Sequence, residues 1–302
     1  MQPLIERLSR GQTILLDGAT GTELQKRGAP MNHAVWSATA TLTHPEILRQ
    51  IHVDYILAGA KIIISNTFST SRHLLAQAGM ATDFPRLNRR AVEIAREARE
   101  RAAQPGVYIG ASISTENFEF NPPAIEQARS FFKEQAGIMA QAGADLILLE
   151  MMRDVEYTQA AIEAASSCGL PVWVGFSCQV DPTGEVRMWE RNETLAHVIQ
   201  NLDLPGEDCL ISIMHTLTED VEPALEILQR AWSGYSGVYA HSGKFTMPNW
   251  QFIDMISPEE YAAAASGWLA QGAQMVGGCC GIGPDHIRAL NDLIAGNTFQ
   301  ET

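Results

Sequence analysis

Eight short apolar runs, each followed by a helical stretch, predict an α/β chain closed into a (β/α)8, TIM-type barrel. Two further observations point the same way. The runs are almost continuously apolar, as parallel strands covered on both faces must be. Glycines also recur in one phrase between a helix and the next strand. It reads Ala58-Gly59-Ala60, Ala142-Gly143-Ala144 and Gln271-Gly272-Ala273, with each glycine where a left-handed helix cap belongs. A doubly wound open sheet is the alternative. The count of eight favours the barrel, and Asp17-Gly18-Ala19-Thr20-Gly21 opens no helix immediately, so it is no dinucleotide fingerprint.

The elements follow in order. The first run is Thr13 to Asp17, and its helix spans Pro45 to Ala58. Lys61 to Asn66 leads to a helix over Phe84 to Ala102, and Val107 to Ser112 to one over Pro123 to Ala142. Asp145 to Glu150 precedes Val155 to Ser167, and Pro171 to Ser177 precedes Glu193 to Asn201. Cys209 to Met214 runs to Glu219 to Trp232, and Gly237 to Ala240 to Pro258 to Gln271. The last pair is Gln274 to Gly278 with Pro284 to Ile294. Residues 1–302 read as a single barrel domain.

Composition narrows the function. The chain carries 21 Lys and Arg against 35 Asp and Glu, a net charge of −14, with no basic stripe, so nucleic acid is not an expected partner. No apolar run approaches the ~20 residues of a membrane span. The stretch Met1 to Gly11 is polar and charged, without a signal-peptide core. Five cysteines, an odd number, suggest no disulfide framework; a reducing cytoplasm is the simplest reading. No heptad or long arm marks an interface between subunits.

In barrels of this kind the chemistry lies at the C-terminal ends of the strands. There the sequence puts Asp17-Gly18, Ser65-Asn66-Thr67-Phe68, Glu150, Ser177-Cys178, Met214-His215, His241-Ser242-Gly243 and Gly278-Cys279-Cys280. Adjacent cysteines strain any disulfide between them, but two thiolates flanked by glycines can reach one soft cation. Cys279, Cys280 and His215 make a two-sulfur, one-nitrogen set with an open fourth position, suited to Zn2+; His241 is a possible fourth ligand. Asp17 and Glu150 are acceptors for an ammonium group. Metal plus ammonium-binding carboxylates suggests an amino-acid thiol as substrate. Cys168, Cys178 and Cys209 read as core or rim residues. Trp36, Phe68, Phe118, Phe120, Tyr157 and Trp189 are candidates to cradle a cation, and the segment Thr115 to Phe120 is a candidate rim.

The sequence resembles the homocysteine S-methyltransferase family over nearly its whole length. The resemblance rests on Asp17-Gly18-Ala19-Thr20-Gly21-Thr22-Glu23-Leu24, Trp36-Ser37-Ala38, His44-Pro45-Glu46 and His52-Val53-Asp54-Tyr55. It continues through Ala58 to Ile63, Ser65 to Phe68, Ala142 to Asp145, Leu149-Glu150 and, most specifically, Gly277-Gly278-Cys279-Cys280-Gly281. The resemblance implies a zinc site built from three cysteines and a homocysteine thiolate attacking the methyl of an onium donor. Asp17 and Glu150 would hold the homocysteine amino group and act at the catalytic centre. The backbone N–H groups of Gly18 and Ala19 would hold its carboxylate, with Asn66 and Thr67 as further substrate contacts. Three family phrases are altered, one of them the glycine-rich phrase after strand three, where Thr115 to Phe120 stands. Asn-Cys at the end of strand six is Met214-His215 here, and Tyr-Pro-Asn-x-Gly after strand seven is Tyr239-Ala240-His241-Ser242-Gly243. The resemblance thus implies homocysteine or a related thiol as acceptor, and as donor an onium compound such as S-methylmethionine, S-adenosylmethionine or betaine. A hydrolase-type metalloenzyme and a non-catalytic thiol or metal binder on the same barrel are the alternatives.

Overall fold

A computed structural model describes residues 4–32, 34–115, 121–206, 209–246 and 251–298. Eight parallel strands form the barrel: β1 (Ile14–Leu15), β2 (Ile62–Ser65), β3 (Tyr108–Ser114), β4 (Leu146–Met152), β5 (Val172–Phe176), β6 (Leu210–Leu217), β7 (Tyr235–His241) and β8 (Met275–Val276). They neighbour one another in chain order, and β8 returns to β1 through Ile14↔Met275 and Leu15↔Val276. Closure is completed by a parallel bridge from Leu16 to Ile62 and by the Asp17 N–H, which donates to the Ile62 carbonyl (3.0 Å). All eight expected strands are present.

The interior is filled by Ile14, Leu16, Ile62, Leu146, Leu148, Trp173, Leu210, Met214, Tyr239 and Met275, so the barrel is a packed core. A second cluster lies between the strands and the helices that follow them. The long helices match the sequence expectation closely, at Pro45–Leu57, Phe84–Ala102, Ile125–Ala142, Val155–Ser166, Val221–Ala231, Pro258–Ala270 and Pro284–Thr298. Their ends follow simple chemistry. Asp154 and Ser257 accept from the N–H groups of Tyr157 and Glu260, while Gly143, at φ +100°, closes its helix in the left-handed region.

Several features depart from the sequence reading, among them the short helices Ala40–Thr43 and Arg72–Gln77. A helix over Leu4–Ser9, in the stretch read only as polar, turns Leu4 and Leu8 onto the barrel interior cluster. The phrase after β1 does open a helix, Thr20–Lys26, three residues beyond Asp17. Two antiparallel ribbons are inserted on the catalytic side, Cys178–Val180 with Val186–Met188 and Lys244–Thr246 with Gln251–Ile253. The helix expected over Glu193 to Asn201 shortens to Leu195–Gln200, because Thr194 caps it by accepting from the His197 N–H. No described helix is long and apolar enough to cross a membrane.

Candidate active site

At the C-terminal mouth of the barrel lies a cavity of about 590 Å³. Its wall includes Gly18, Ala19, Trp36, Asn66, Phe68, Glu150, Trp189, His215, His241, Cys279 and Cys280. Two corners of this cavity carry the chemistry, one soft and one acidic.

The soft corner is made by β6, β7 and the turn after β8. The Cys279 N–H donates to the Ala240 carbonyl (2.8 Å), and the Ser242 N–H to the Cys280 carbonyl (3.0 Å), so the thiol turn is sewn to β7. Gly281 ends the turn at φ +82°, where a Cβ would meet the Ser242 carbonyl at 2.4 Å; only glycine passes this point unstrained. His215 sits where the β6–β7 register shifts, at φ +46°. The bulge swings its ring out of the strand toward the cysteines. The Ser177 hydroxyl holds its carbonyl (3.0 Å).

Cys279 Sγ stands 3.5 Å from His215 Nδ1 and 3.9 Å from Cys280 Sγ. Ligand atoms of all three residues lie within 4.8 Å of one another. A tetrahedral zinc ion, with Zn–S about 2.3 Å and Zn–N about 2.0–2.1 Å, would separate two sulfurs by about 3.8 Å and sulfur from nitrogen by about 3.6 Å. The donor set therefore fits such an ion. The hydrogen bond with Cys280 and burial push the Cys279 thiol well above its ordinary range, so a thiolate here calls for a positive centre. His241 is not within this ligand group. Its ring centroid lies 4.5 Å from that of His215, and Trp189 packs edge-on to both histidines at 5.4 and 5.5 Å. Buried His241 keeps Nδ1 without a hydrogen-bond partner, and burial followed by the His215 charge lowers its pKa to about 3.

The acidic corner is made by β1 to β4. Asp17 is fully buried behind Gly18 and is not among the residues that line the cavity; the Ile64 N–H donates to its Oδ2 (2.8 Å), and its Oδ1 has no partner. Burial raises its pKa well above the carboxylate range, and the Glu150 charge adds to the shift. Glu150 lies, with Met151 at φ +53°, inside the β4–β5 register shift between Leu149 and Met152. Its Oε2 accepts from the Ser112 hydroxyl. Burial lifts its pKa to about 7, against the opposing pull of Ser112, Tyr239 and His215.

Several expected contacts take other roles. The Ala19 N–H donates to the Ile282 carbonyl (2.9 Å), so it is not available to a substrate carboxylate; Gly18 lies in the cavity wall beside it. Asn66 reaches the wall, but its amide is engaged with the Ser37 hydroxyl (2.8 Å), the Ser37 carbonyl (2.9 Å) and Thr41 (3.1 Å). Thr67 is fully buried and bonds the Ser112 peptide. Among the aromatics, Trp36, Phe68 and Trp189 line the cavity, whereas Tyr157 donates to the Pro123 carbonyl (2.8 Å) as a packing residue. Phe118, Phe120 and most of the candidate rim segment lie outside the described residues. Cys178 and Cys209 are buried core thiols, as expected, and burial raises both to about 12. Sequence reasoning missed Ser112 and Arg153; Arg153 is buried in the cavity wall. Nothing in the pattern of β3 singles out one serine, but a cation three residues past a strand-end glutamate was a usable signal.

The sequence model of the homocysteine S-methyltransferase family matches residues 14–294. The chain is 25% identical to homocysteine S-methyltransferase 1 of Zea mays over 316 aligned residues, covering 95% of this chain and 96% of that protein. It is 26% identical to a selenocysteine methyltransferase of Astragalus bisulcatus, covering 94% of this chain and 93% of the other. Among solved structures, the metallated form of the homocysteine methyltransferase MmuM from Escherichia coli matches with a TM-score of 0.80 at 25% identity, covering 96% of this chain and 99% of that one. With the match running through every strand of the barrel and both corners of its mouth, the chain belongs to the homocysteine S-methyltransferase family and is a methyltransferase.

Proposed function

We propose that this protein is a zinc-dependent S-methyltransferase that moves a methyl group from an onium donor to the thiol of homocysteine, giving methionine. The whole chain, 1–302, acts as one barrel domain in the cytoplasm, with small-molecule substrates only. The observation that carries the reading is the pairing of two corners in one cavity. Three donors lie at zinc-ligand spacing in the cavity that Glu150 also lines, and the fully buried Asp17, next to Gly18 of the wall, keeps one oxygen unpartnered.

Cys279, Cys280 and His215 would hold the ion. When bound, zinc would stabilise the substrate as a thiolate at neutral pH. Asp17 and Glu150 hold the substrate ammonium, which in turn favours their charged forms. Gly18 lies beside the substrate carboxylate. The thiolate sulfur forms a bond to the donor methyl carbon while the carbon–sulfur or carbon–nitrogen bond of the onium breaks. The leaving group departs as a neutral thioether or amine, and the thiol proton has already gone to solvent. Trp36, Phe68 and Trp189 offer aromatic faces to the cation and keep water from the thiolate. Replacing one thiolate by the neutral imidazole of His215 makes the site one unit less negative than a three-cysteine site. That change favours strongly activated sulfonium donors such as S-methylmethionine over betaine.

The test is direct. Zinc-loaded protein is incubated with homocysteine and S-methylmethionine, S-adenosylmethionine or betaine in turn, and methionine is measured by mass spectrometry. Formation of methionine that is lost on chelation supports the reading. A metal-replete protein that methylates no thiol with any of the three overturns it.

A further inference from the structure

We infer that Thr67 is a positioning residue for Glu150, acting through the peptide and hydroxyl of Ser112. The inference rests on the reading of Glu150 as an acceptor for the substrate ammonium. It assigns Thr67 a role other than touching substrate.

The β2–β3 ladder ends where Ser65 pairs with Ala111. On its β2 side, the next residue of β3, Ser112, bonds to a side chain in place of a strand. Its N–H donates to Thr67 Oγ1 (2.9 Å), and Thr67 Oγ1 donates to its carbonyl (2.9 Å). One hydroxyl thus supplies both the donor and the acceptor that a strand would supply. Thr67 is itself pinned. Its N–H donates to the Ser65 carbonyl (2.7 Å), and its hydroxyl lies 3.1 Å from that of Ser65. From this fixed peptide the Ser112 hydroxyl donates to Glu150 Oε2. Thr67 and Ser112 are fully buried, so water does not replace a lost partner freely. Anchoring one oxygen of Glu150 sets the direction of the other, which is what an ammonium reads. Threonine and serine at position 67 meet the requirement; valine has the shape of threonine without the hydroxyl.

The test measures equilibrium binding, so no turnover is needed. Homocysteine and 4-mercaptobutanoate, the same thiol acid without the ammonium, are titrated by calorimetry into zinc-loaded protein. Thr67→Val is expected to weaken homocysteine about tenfold, the effect of one misdirected charged hydrogen bond, and to leave 4-mercaptobutanoate unchanged. Thr67→Ser is expected to restore homocysteine binding. Ser112→Ala leaves the Thr67 side chain in place and is expected to reproduce the Thr67→Val pattern, which keeps the test open if valine impairs folding. Equal losses for both ligands, or no loss for either, overturn the inference. Glu150→Gln separates the two readings. If it discriminates between the ligands and Thr67→Val does not, only the positioning role fails. If Glu150→Gln does not discriminate, the ammonium reading fails and takes this inference with it.

Discussion

The soft corner and the acidic corner share one cavity but are built on opposite principles. In the acidic corner, Glu150, Ser112 and Thr67 are joined by hydrogen bonds before any ligand arrives. The electrostatic tension is in the carboxylates, which burial holds above their ordinary pKa values. In the soft corner the backbone is firmly tied, and the three donor atoms lie within 4.8 Å of one another. One corner is preorganised by the protein and calls for a small cation of substrate. The other is a set of ligands that calls for a metal. Among the family phrases, those of the soft corner at His215 and His241 are altered, as is the segment after β3, while Asp17 and Glu150 stand in unaltered ones.

The largest way to break this contrast is to remove a sulfur. Cys279→Ser or Cys280→Ser leaves two strong ligands, and zinc affinity is expected to fall by at least about 100-fold. Metal analysis after dialysis should drop from one zinc per chain to near none, and methyl transfer should be abolished. Retention of stoichiometric zinc by both variants would break the ligand assignment. The acidic corner should survive this change. Asp17 and Glu150 hold no metal in this scheme, so the fold and its melting behaviour without metal should be nearly unaltered.

The next effect belongs to the acidic corner. Glu150→Gln removes a charge from a buried acceptor, and homocysteine binding is expected to weaken by about 100-fold, as for loss of a charged hydrogen bond. The wild type should show a related pH dependence. Glu150 titrates at about 7, so binding is expected to weaken as pH falls below that value, by up to tenfold per unit. A pH-independent dissociation constant between pH 5 and 8 would contradict the role.

The same group makes a stability prediction of opposite sign. Glu150 in the folded chain sits at about 7 against an ordinary value of 4.5. Between those values the folded state binds more protons than the unfolded state, so stability falls as pH rises through the window. Above pH 7 the charged form costs the metal-free protein on the order of 1–3 kcal/mol. Glu150→Gln, studied without metal, should therefore melt higher than wild type at pH 8, and the two should converge near pH 4.5. A variant less stable at every pH would show that Ser112 and Tyr239 favour the carboxylate more strongly than burial opposes it.

How far the sequence discloses these corners depends on the range of the forces involved. The barrel is legible because strand burial and helix amphipathicity are local patterns; the helix Phe84–Ala102 lies where the sequence predicts. The ribbon Cys178–Val180 with Val186–Met188 is not, because three-residue strands carrying Gln179 and Arg187 in their centres look like loop. Cys279, Cys280 and His215 are legible because few other roles suit two thiols between glycines. The bonding of Thr67 to Ser112 is not legible because its partner peptide is 45 residues away, and a hydroxyl at a strand end looks the same whether it faces a ligand or a backbone. His241 is read as a possible ligand from its strand-end position, but its separation from the three-residue group depends on ring placement against Trp189.

The smallest expected effect sharpens the comparison by moving the soft corner toward the three-cysteine pattern. His215→Cys exchanges a neutral imidazole for a thiolate. The added negative charge strengthens the attraction for zinc and increases electron donation to the substrate sulfur. Zinc affinity, measured by competition with a chelator, should tighten by roughly tenfold. The gain is limited by the backbone. Residue 215 lies at φ +46°, a region that histidine enters more readily than cysteine, so part of the gain is offset by about 1 kcal/mol of strain. A thiolate that donates more should also relax the donor preference, with methylation from betaine rising relative to S-methylmethionine. If the variant binds zinc more tightly and the donor ratio stays fixed, ligand charge does not set donor choice, and the determinant lies in the cavity wall around Trp36, Phe68 and Trp189.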